Sequence, residues 1–117
     1  MTKGQVEARI SEAMSKFEVE YMGRGPEKVR TSILHDMIII RLKGFLSVSE
    51  KNLASTKEGV ELIKNHRRAL FENARAQLIE TVQSVLKIEI ISVHSDVSTV
   101  TGEKIIILIA DKEIEID

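Results

Sequence analysis

The longest amphipathic segment of the chain runs from Thr56 to Lys87. It holds no proline and a single glycine, Gly59, near its start. Apolar residues recur along it at the three- and four-residue spacing of one helical face, and the Thr56 side chain can cap the first turn. This stripe consists of Val60, Ile63, Leu70, Phe71, Ala74, Leu78, Val82 and Val85. The segment therefore predicts one long helix, about 46 Å from end to end.

The first part of the chain predicts a helix followed by a β-hairpin. Thr2 and Gln5 have the spacing of a capping box, and the apolar residues after them share one helical face. These residues are Val6, Ile10, Ala13, Phe17 and Tyr21. After a loop with two glycines and a proline, residues 29–33 and 37–46 read as strands, joined by a short turn at 35–36.

The remaining segments predict a short helix and two more strands. Ser47 and Glu50 form a second capping box just before the long helix, and residues 88–97 and 104–110 are rich in Ile and Val. The element order α-β-β-α-β-β predicts an α+β fold with two layers. We expect a mainly antiparallel four-stranded sheet with the long helix and the N-terminal helix on one face. The chain is long enough for one core, so residues 1–117 are predicted to form a single domain.

The length of the long helix predicts an oligomer. A compact domain of this size has a radius of gyration of roughly 13 Å, and hence a diameter of about 35 Å, which is shorter than the helix. The apolar stripe nevertheless continues almost to both ends of the segment. We therefore expect a homodimer in which the long helix contributes to the interface.

Composition narrows the classes of function. The 17 Lys and Arg nearly balance the 18 Asp and Glu, and only four residues are aromatic, so a nucleic-acid partner is not expected. The chain has no cysteine, and its three histidines are dispersed, so neither a metal nor another cofactor is expected. The longest wholly apolar run, Ile105–Ala110, is too short to insert into a membrane, and the N-terminus has no signal-peptide core. We expect a cytoplasmic protein that contacts a membrane through a partner, if at all.

Arg67 interrupts the apolar stripe of the long helix. It lies between Ile63 and Leu70, and Arg68 lies on the flank of the same stripe. A buried arginine is costly unless an acceptor meets it. One interpretation is an arginine that binds an anion or a partner, and the other is a side chain whose head pairs with a glutamate.

The loop Gly23-Arg24-Gly25-Pro26 is a second candidate. Two glycines allow close backbone approach, and their N–H groups together with Arg24 can hold an anion. The loop lacks the Gly-Lys-Ser/Thr of a phosphate-binding P-loop and precedes a strand rather than a helix. The alternative interpretation is a tight connection between a helix and a strand.

The third candidate is the polar run that contains His94, Ser95, Asp96, Ser98 and Thr99. Neighbouring residues of a strand point to opposite faces, so the adjacent His, Ser and Asp do not form a catalytic triad. With no second histidine nearby, the run does not predict a metal site either. It is consistent with a polar hairpin arm or with surface recognition.

Together these motifs resemble a small bacterial family, first catalogued as a domain of unknown function and later named after MpsC. MpsC is a component of a cation-translocating system that generates a membrane potential. The resemblance extends roughly from Ile10 to Ala110. The motifs that carry it are Gly-Arg-Gly-Pro-Glu at 23–27, Arg-Arg-Ala-Leu at 67–70, Ser-Val-His-Ser-Asp-Val-Ser-Thr at 92–99 and Thr-Gly-Glu at 101–103.

The resemblance implies a soluble accessory or regulatory subunit of a membrane-potential, ion or inorganic-carbon transport system. In that system the membrane-embedded work falls to other subunits. The leading hypothesis is a non-enzymatic dimer that acts through protein–protein contact, with a membrane transport subunit as its partner. The alternative is a sensor that binds a small anion or metabolite through Arg24, Arg67 or His94. A hydrolase ranks last, because no set of nucleophile and base can be named.

Overall fold

The computed structural model describes residues 1–116, which form three helices and four strands in the predicted order. These elements are α1 (Lys3–Met22), β1 (Lys28–Leu34), β2 (Met37–Lys43), α2 (Val48–Leu53), α3 (Lys57–Gln83), β3 (Ile90–Ser98) and β4 (Glu103–Ala110). The strands form one antiparallel sheet in the order β1-β2-β4-β3. The predicted α+β class is therefore confirmed. Asp117, the last residue of the predicted domain 1–117, lies outside the described residues.

The core lies between one face of the sheet and the two longer helices. Helix α1 packs on β1 and beside α3. The sheet contributes the buried side chains of Ile33, Ile38, Ile40, Leu42, Val93, Ile106 and Leu108. The helices contribute Val6, Ile10, Met14, Phe17 and Met22 from α1, and Phe71, Ala74, Leu78 and Val82 from α3. Both predicted capping boxes, at Thr2 and at Ser47, are formed.

The buried face of α1 differs from the prediction at two positions. Met14 and Met22 are buried, whereas Ala13 is only partly buried and Tyr21 is 38% exposed. The buried residues follow the four-residue spacing from Val6 and Ile10. That spacing also passes through Glu18, a buried charged residue in an otherwise apolar row.

Several element ends also differ from the prediction. Strand β2 stops at Lys43 rather than at 46, because Gly44 has a φ of +72° and its N–H donates to the carbonyl of Gly102. Helix α3 ends at Gln83 with Ser84 as its C-cap, four residues before the predicted end at Lys87.

The prediction that the long helix extends beyond the rest of the domain is wrong. Helix α3 has 27 residues, which corresponds to about 40 Å. The molecule is itself 47 Å long and only 24 by 23 Å across, so the helix does not outrun it. Its stripe is largely buried within the chain, from Ile63 to Val82. The homodimer stays a prediction, but the stripe of α3 no longer supports it.

Candidate functional site

A cavity of about 270 Å³ opens between the middle of α3 and the edge strand β3. Residues 64–72 of α3 and residues 93–97 of β3 contribute its walls, and Lys104 of β4 also lines it. Four cationic residues line this space, Lys64, Arg67, Arg68 and Lys104, together with two acidic ones, Glu72 and Asp96. Five of the residues predicted to be functional therefore border this cavity, namely Arg67, Arg68, His94, Ser95 and Asp96.

Arg67 is held by acceptors on two residues, Glu50 in the first turn of α2 and Phe45 in the segment before this helix. Its Nε donates to Oε2 of Glu50 at 3.2 Å, and its Nη2 donates to Oε1 of the same carboxylate at 2.8 Å. Nη2 also donates to the carbonyl oxygen of Phe45 at 3.1 Å, and the guanidinium lies over the Phe45 ring. The side chain of Arg67 is only 6% exposed. This geometry matches the interpretation of Arg67 as a buried charge paired with a glutamate.

One nitrogen of Arg67 has no such acceptor. Nη1 is buried, and nothing within residues 1–116 accepts its hydrogen bonds. A buried donor without an acceptor costs roughly 1–3 kcal/mol, because it has lost its hydration and gained nothing in return. Since Arg67 lines the cavity, an anion bound there is a candidate acceptor for Nη1.

The Glu50 carboxylate is set up to stay ionised. Burial alone would raise the pKa of Glu50, but the hydrogen bonds from Arg67 and from the backbone N–H of Ser47 outweigh it, and the pKa falls below its ordinary value of 4.5. The same carboxylate completes the capping box of α2. Glu50 therefore connects the first turn of α2 to the middle of α3.

A second buried ion pair, between Lys104 and Glu18, borders the cavity. Nζ of Lys104 donates to the two carboxylate oxygens of Glu18 at 3.2 and 3.3 Å, and both side chains are 1% exposed. The Nζ atom also lies 5.2 Å from the centre of the Phe71 ring. Burial lowers the pKa of Lys104, Glu18 raises it in part, and the nearby positive charge of Arg67 lowers it further.

The sequence did not predict Glu18 and Lys104 as site residues. A weak signal for each was present in the spacing. Lys104 alternates with Ile106 and Leu108, which places it on the buried face of β4. Glu18 lies four residues after Met14, on the buried row of α1. Their pairing spans 86 positions, so neither residue alone indicated its partner.

The polar run of β3 divides between the two faces of the sheet. Ser95 pairs with Ile106 in register and so faces the helices, whereas His94 and Asp96 pair with Ile107 and Ile105 on the opposite face. His94, Ser95 and Asp96 therefore do not converge as a triad, in agreement with the sequence interpretation. Ser98 acts in the hairpin turn that follows. Its Oγ accepts from the Thr101 N–H, its carbonyl accepts from Gly102, and Thr99 lies in the same turn.

The loop from Gly23 to Pro26 lies outside the cavity lining. Gly23 caps α1 in a left-handed conformation, with a φ of +89°. Nη1 of Arg24 donates to the carbonyl oxygen of Leu46. This contact ties the loop to the segment before α2, one residue from the carbonyl that Arg67 holds. The geometry matches the interpretation of this loop as a helix-to-strand connection.

The cavity suits the recognition of an anion by hydrogen bonds and charge. The carboxylates of Glu18 and Glu50 do not line it, so the positive groups of Lys104 and Arg67 lie nearer to the space than their counter-charges do. In the part of the chain that the structure describes, there is no group of three or more His, Asp or Glu side chains placed to hold a metal ion.

The fold and the cavity define a two-layer α+β domain with a cavity, lined mainly by cations among its charged residues, between its long helix and an edge strand. The chain belongs to the MpsC family, since the sequence model described as "Na+-translocating membrane potential-generating system (MpsC)" matches residues 2–112. Over this range no helix reaches the length and apolarity needed to cross a membrane.

Two proteins of Bacillus subtilis (strain 168) are similar to the chain along most of its length. The uncharacterized protein YbcI is 37% identical over 106 residues, which cover 91% of this chain and 86% of YbcI. The uncharacterized protein YrhF is 26% identical over 107 residues, which cover 91% of this chain and 88% of YrhF. No solved structure matches the chain significantly.

Proposed function

We propose that this chain is a non-enzymatic accessory module of a membrane-potential system that binds a small anion in the cavity between α3 and β3. The observation that carries the anion site is the buried Nη1 of Arg67, which finds no acceptor in residues 1–116 although Arg67 is one of the residues that line the cavity. The role in a membrane-potential system is supported by the family's description.

Four cationic residues and two acidic ones line the cavity, so its lining has a net positive charge that favours an anionic ligand over a cationic one. Arg67 and Lys104 lie close enough for the charge of Arg67 to lower the pKa of Lys104. An anion between them would relieve this repulsion and accept from Nη1. Lys64 and Arg68 add two flexible positive groups to the lining.

The size of the cavity sets the class of ligand. At about 270 Å³ it lies just below the range of roughly 300–1,000 Å³ that holds drug-sized molecules. A small oxyanion or a short carboxylate fits this space, with its charged oxygens toward Arg67 and Lys104. The edge strand β3 adds the hydroxyl of Ser95 on the same inner face.

Thermal unfolding in the presence of defined anions tests the binding site. Phosphate, sulfate, bicarbonate and short di- and tricarboxylates are compared at constant ionic strength set with chloride. We expect at least one of them to raise the unfolding midpoint of the parent chain by mass action. The Lys64→Gln/Arg68→Gln variant should need a higher concentration for the same rise. A set of anions that leaves the parent midpoint unchanged would overturn the site.

The matched control is Lys57→Gln. Lys57 is an exposed lysine of the same helix and does not line the cavity. The Lys57→Gln substitution removes one positive charge, as each cavity substitution does. The rise of its unfolding midpoint with anion should equal that of the parent. An equal loss in this control would indicate general charge screening rather than a defined site.

The accessory role is tested in a bacterium that carries this chain. Deletion followed by complementation with the parent should restore the membrane potential measured with a voltage-sensitive dye. The Lys64→Gln/Arg68→Gln variant, expressed to the same level, should restore it only partly. If the protein binds an anion in vitro but its deletion leaves the membrane potential unchanged, the anion site stands and the accessory role is excluded.

A further inference from the structure

The outer face of the sheet, the one turned away from the helices, has an apolar centre. In register across the sheet it carries Ile39, Ile105 and Ile107 in the middle and Met37 and Ile109 at one end. All five side chains are partly exposed. Strand β4 reads Glu-Lys-Ile-Ile-Ile-Leu-Ile-Ala, so it is apolar on both faces along most of its length. A strand with one face in water normally alternates with polar residues, and a continuous apolar run is typical of strands covered on both faces.

The charged residues of the outer face are separated by sign. Four cations, Lys28, Arg30, Arg41 and Lys43, occupy one corner on β1 and β2. The acids Glu103 and Asp96 occupy the neighbouring positions on β4 and β3. Within the chain, Arg41 pairs with Glu103 at 2.8 Å. The other cations of the corner are exposed together.

This arrangement is self-complementary under one particular two-fold rotation. Two copies are placed with their outer faces together, and the two-fold axis runs between these faces, parallel to the strands and midway between β2 and β4. Strand β1 then lies over β3 of the other copy, and β2 lies over β4 of the other copy. The register then places Arg30 over Asp96, Lys43 over Glu103 and Ile39 over Ile107 of the other copy. An axis perpendicular to the strands would instead place the cationic corner over Leu34 and Met37.

We propose that the outer face of the sheet is the surface through which two copies of this chain form a homodimer, with the two-fold axis parallel to the strands. The face measures roughly 20 by 23 Å from the strand spacing and rise. Covering it in both copies buries roughly 900–1,000 Å² in total, which is below the roughly 1,200 Å² of a stable specific interface and in the range of weak, reversible ones. The dimer is independent of the anion site and of the proposed accessory role.

Sedimentation equilibrium of the full chain gives the first test. Each chain has a mass of 13.2 kDa, and we expect a reversible dimer of twice that mass with a dissociation constant in the micromolar range, as an interface of about this size allows. A chain that stays monomeric up to about 200 µM, well above that range, would overturn the proposal.

Charge reversal identifies the surface and the axis. Arg30 and Asp96 lie on opposite edge strands, three strand spacings or about 14 Å apart, so they cannot pair within one chain. Arg30→Asp and Asp96→Arg should each weaken the dimer at least tenfold, because each places like charges opposite one another twice. The double variant Arg30→Asp/Asp96→Arg should restore the dimer. Failure of the restoration would exclude this axis.

A pair of apolar substitutions separates this surface from the long helix. Ile107→Lys places a charge at the centre of the outer face, whereas Leu62→Lys places one on α3 at a residue that is 60% exposed. We expect Ile107→Lys to give monomers and Leu62→Lys to leave the dimer intact. The opposite result would place the interface on α3 and overturn the proposal. Circular dichroism melts show whether each variant folds. If Ile107→Lys does not fold, the charge-reversal variants alone test the position of the interface.

Discussion

Arg67 shows how one residue serves a structural and a binding purpose at once. Two of its three guanidinium nitrogens hold Glu50 and the Phe45 carbonyl, and these contacts fix the segment before α2 against α3. The third nitrogen, Nη1, is left for a ligand in the proposal made above. A planar fork of five donors allows this division, which the ammonium of a lysine could not provide.

Replacing Arg67 by Met measures how much the contacts of Arg67 within the chain contribute to the free energy of unfolding. The change keeps the bulk of the stem but leaves the Glu50 carboxylate without its partner. We expect the free energy of unfolding to fall by about 3 kcal/mol, the lower end for a broken buried pair, because the Glu50 side chain is still partly exposed. Chemical denaturation of Arg67→Met beside the parent measures it. An unchanged or higher midpoint would contradict the buried-pair interpretation.

The control for this substitution is Arg75→Met on the same helix. Arg75 pairs with Glu72 at 3.7 Å, and both side chains are well exposed. An exposed pair of this kind contributes less than about 1 kcal/mol. The two variants therefore remove the same chemical group from the same helix, and they differ in the burial of the pair and in the additional contacts of Arg67 with Phe45.

The pH dependence of stability should report on Glu50. Its pKa in the folded chain is lowered below 4.5, chiefly by its hydrogen bonds, which outweigh the burial that would raise it. The ionised carboxylate therefore stabilises the fold above pH 4.5, and this contribution is lost as the pH falls through the lowered folded pKa. Glu50→Gln should be less stable than the parent at pH 7, and the gap should narrow below pH 4.5. Urea denaturation at pH 7 and 3.5 compares them, and an equal gap at both values would count against the ion pair.

For single residues, the sequence predicts that a charge is buried but not which side chain pairs with it. The helical periodicity places Arg67 in an apolar stripe, so a buried arginine in need of a carboxylate follows from the pattern. Which carboxylate it meets depends on how α2 folds back onto α3, and periodicity holds no information on that. Glu18 and Lys104 were missed for the same reason. Each is a single polar residue in an apolar row, and the pair forms only when α1 lies over the sheet.

Among the elements, the connection between α2 and α3 depends most on one residue. A Cβ atom added to Gly59 would lie 1.7 Å from the carbonyl oxygen of Leu53, the last residue of α2. Gly59 thus allows the first turn of α3 to approach the end of α2 so closely that a side chain does not fit. Since α2 carries Glu50, this approach also places the partner of Arg67.

Gly59→Ala should therefore lower the free energy of unfolding by about 3 kcal/mol, because the clash is with backbone and the two helices must move apart. Gly4→Ala in α1 is the control, since a Cβ there meets nothing within 4 Å. That variant should be as stable as the parent or slightly more so, because alanine favours a helix over glycine. Thermal melts of the three proteins compare them. Equal stability of Gly59→Ala and the parent would mean that the two helices separate at little cost.

The elements were well predicted from sequence, and their ends less so. Capping residues such as Thr2 and Ser47 have side chains that bond the first turn of their own helix, so the beginnings of these helices can be predicted from the local sequence. The end of β2 at Lys43 depends on Gly44, whose left-handed conformation is fixed by a hydrogen bond to Gly102, 58 positions away. Contacts of that range are made by the tertiary fold, and the local pattern of Phe45 and Leu46 simply continues that of the strand.

For the whole molecule, the main error of sequence reasoning was to treat the domain as a sphere. Its two longer helices and its four strands form two thin layers, so the molecule extends to 47 Å and buries a long helix within one chain. Two layers also leave the second face of the sheet uncovered. In the dimer proposed above, the apolar outer face of β4 contacts the other copy, and this face lies on the side of the sheet opposite to α3.

The buried pair of Glu18 and Lys104 ties the two layers together, and a double-mutant cycle tests how. Glu18→Met and Lys104→Met each leave one charge buried without its partner. Each should therefore lower the free energy of unfolding by about 3–5 kcal/mol, whereas the double variant, with two apolar side chains of similar volume, should lose far less than the sum. Denaturant unfolding of all four proteins at pH 7 measures the coupling. Additive losses would mean that the two side chains act independently.

The single variants should also differ in their response to alkali. Burial lowers the pKa of Lys104 below 10.5 in the parent, and Glu18 partly restores it. Glu18→Met removes the restoring charge, so the folded pKa falls further. Between that pKa and 10.5 the unfolded chain binds more protons than the folded one, and stability therefore rises with pH. Glu18→Met should recover part of its loss, relative to the parent, between pH 7 and 10. Lys104→Met, which has no amine to deprotonate at this position, should not recover in this way. A parallel pH response of the two variants would show that Lys104 does not lose its proton inside the fold.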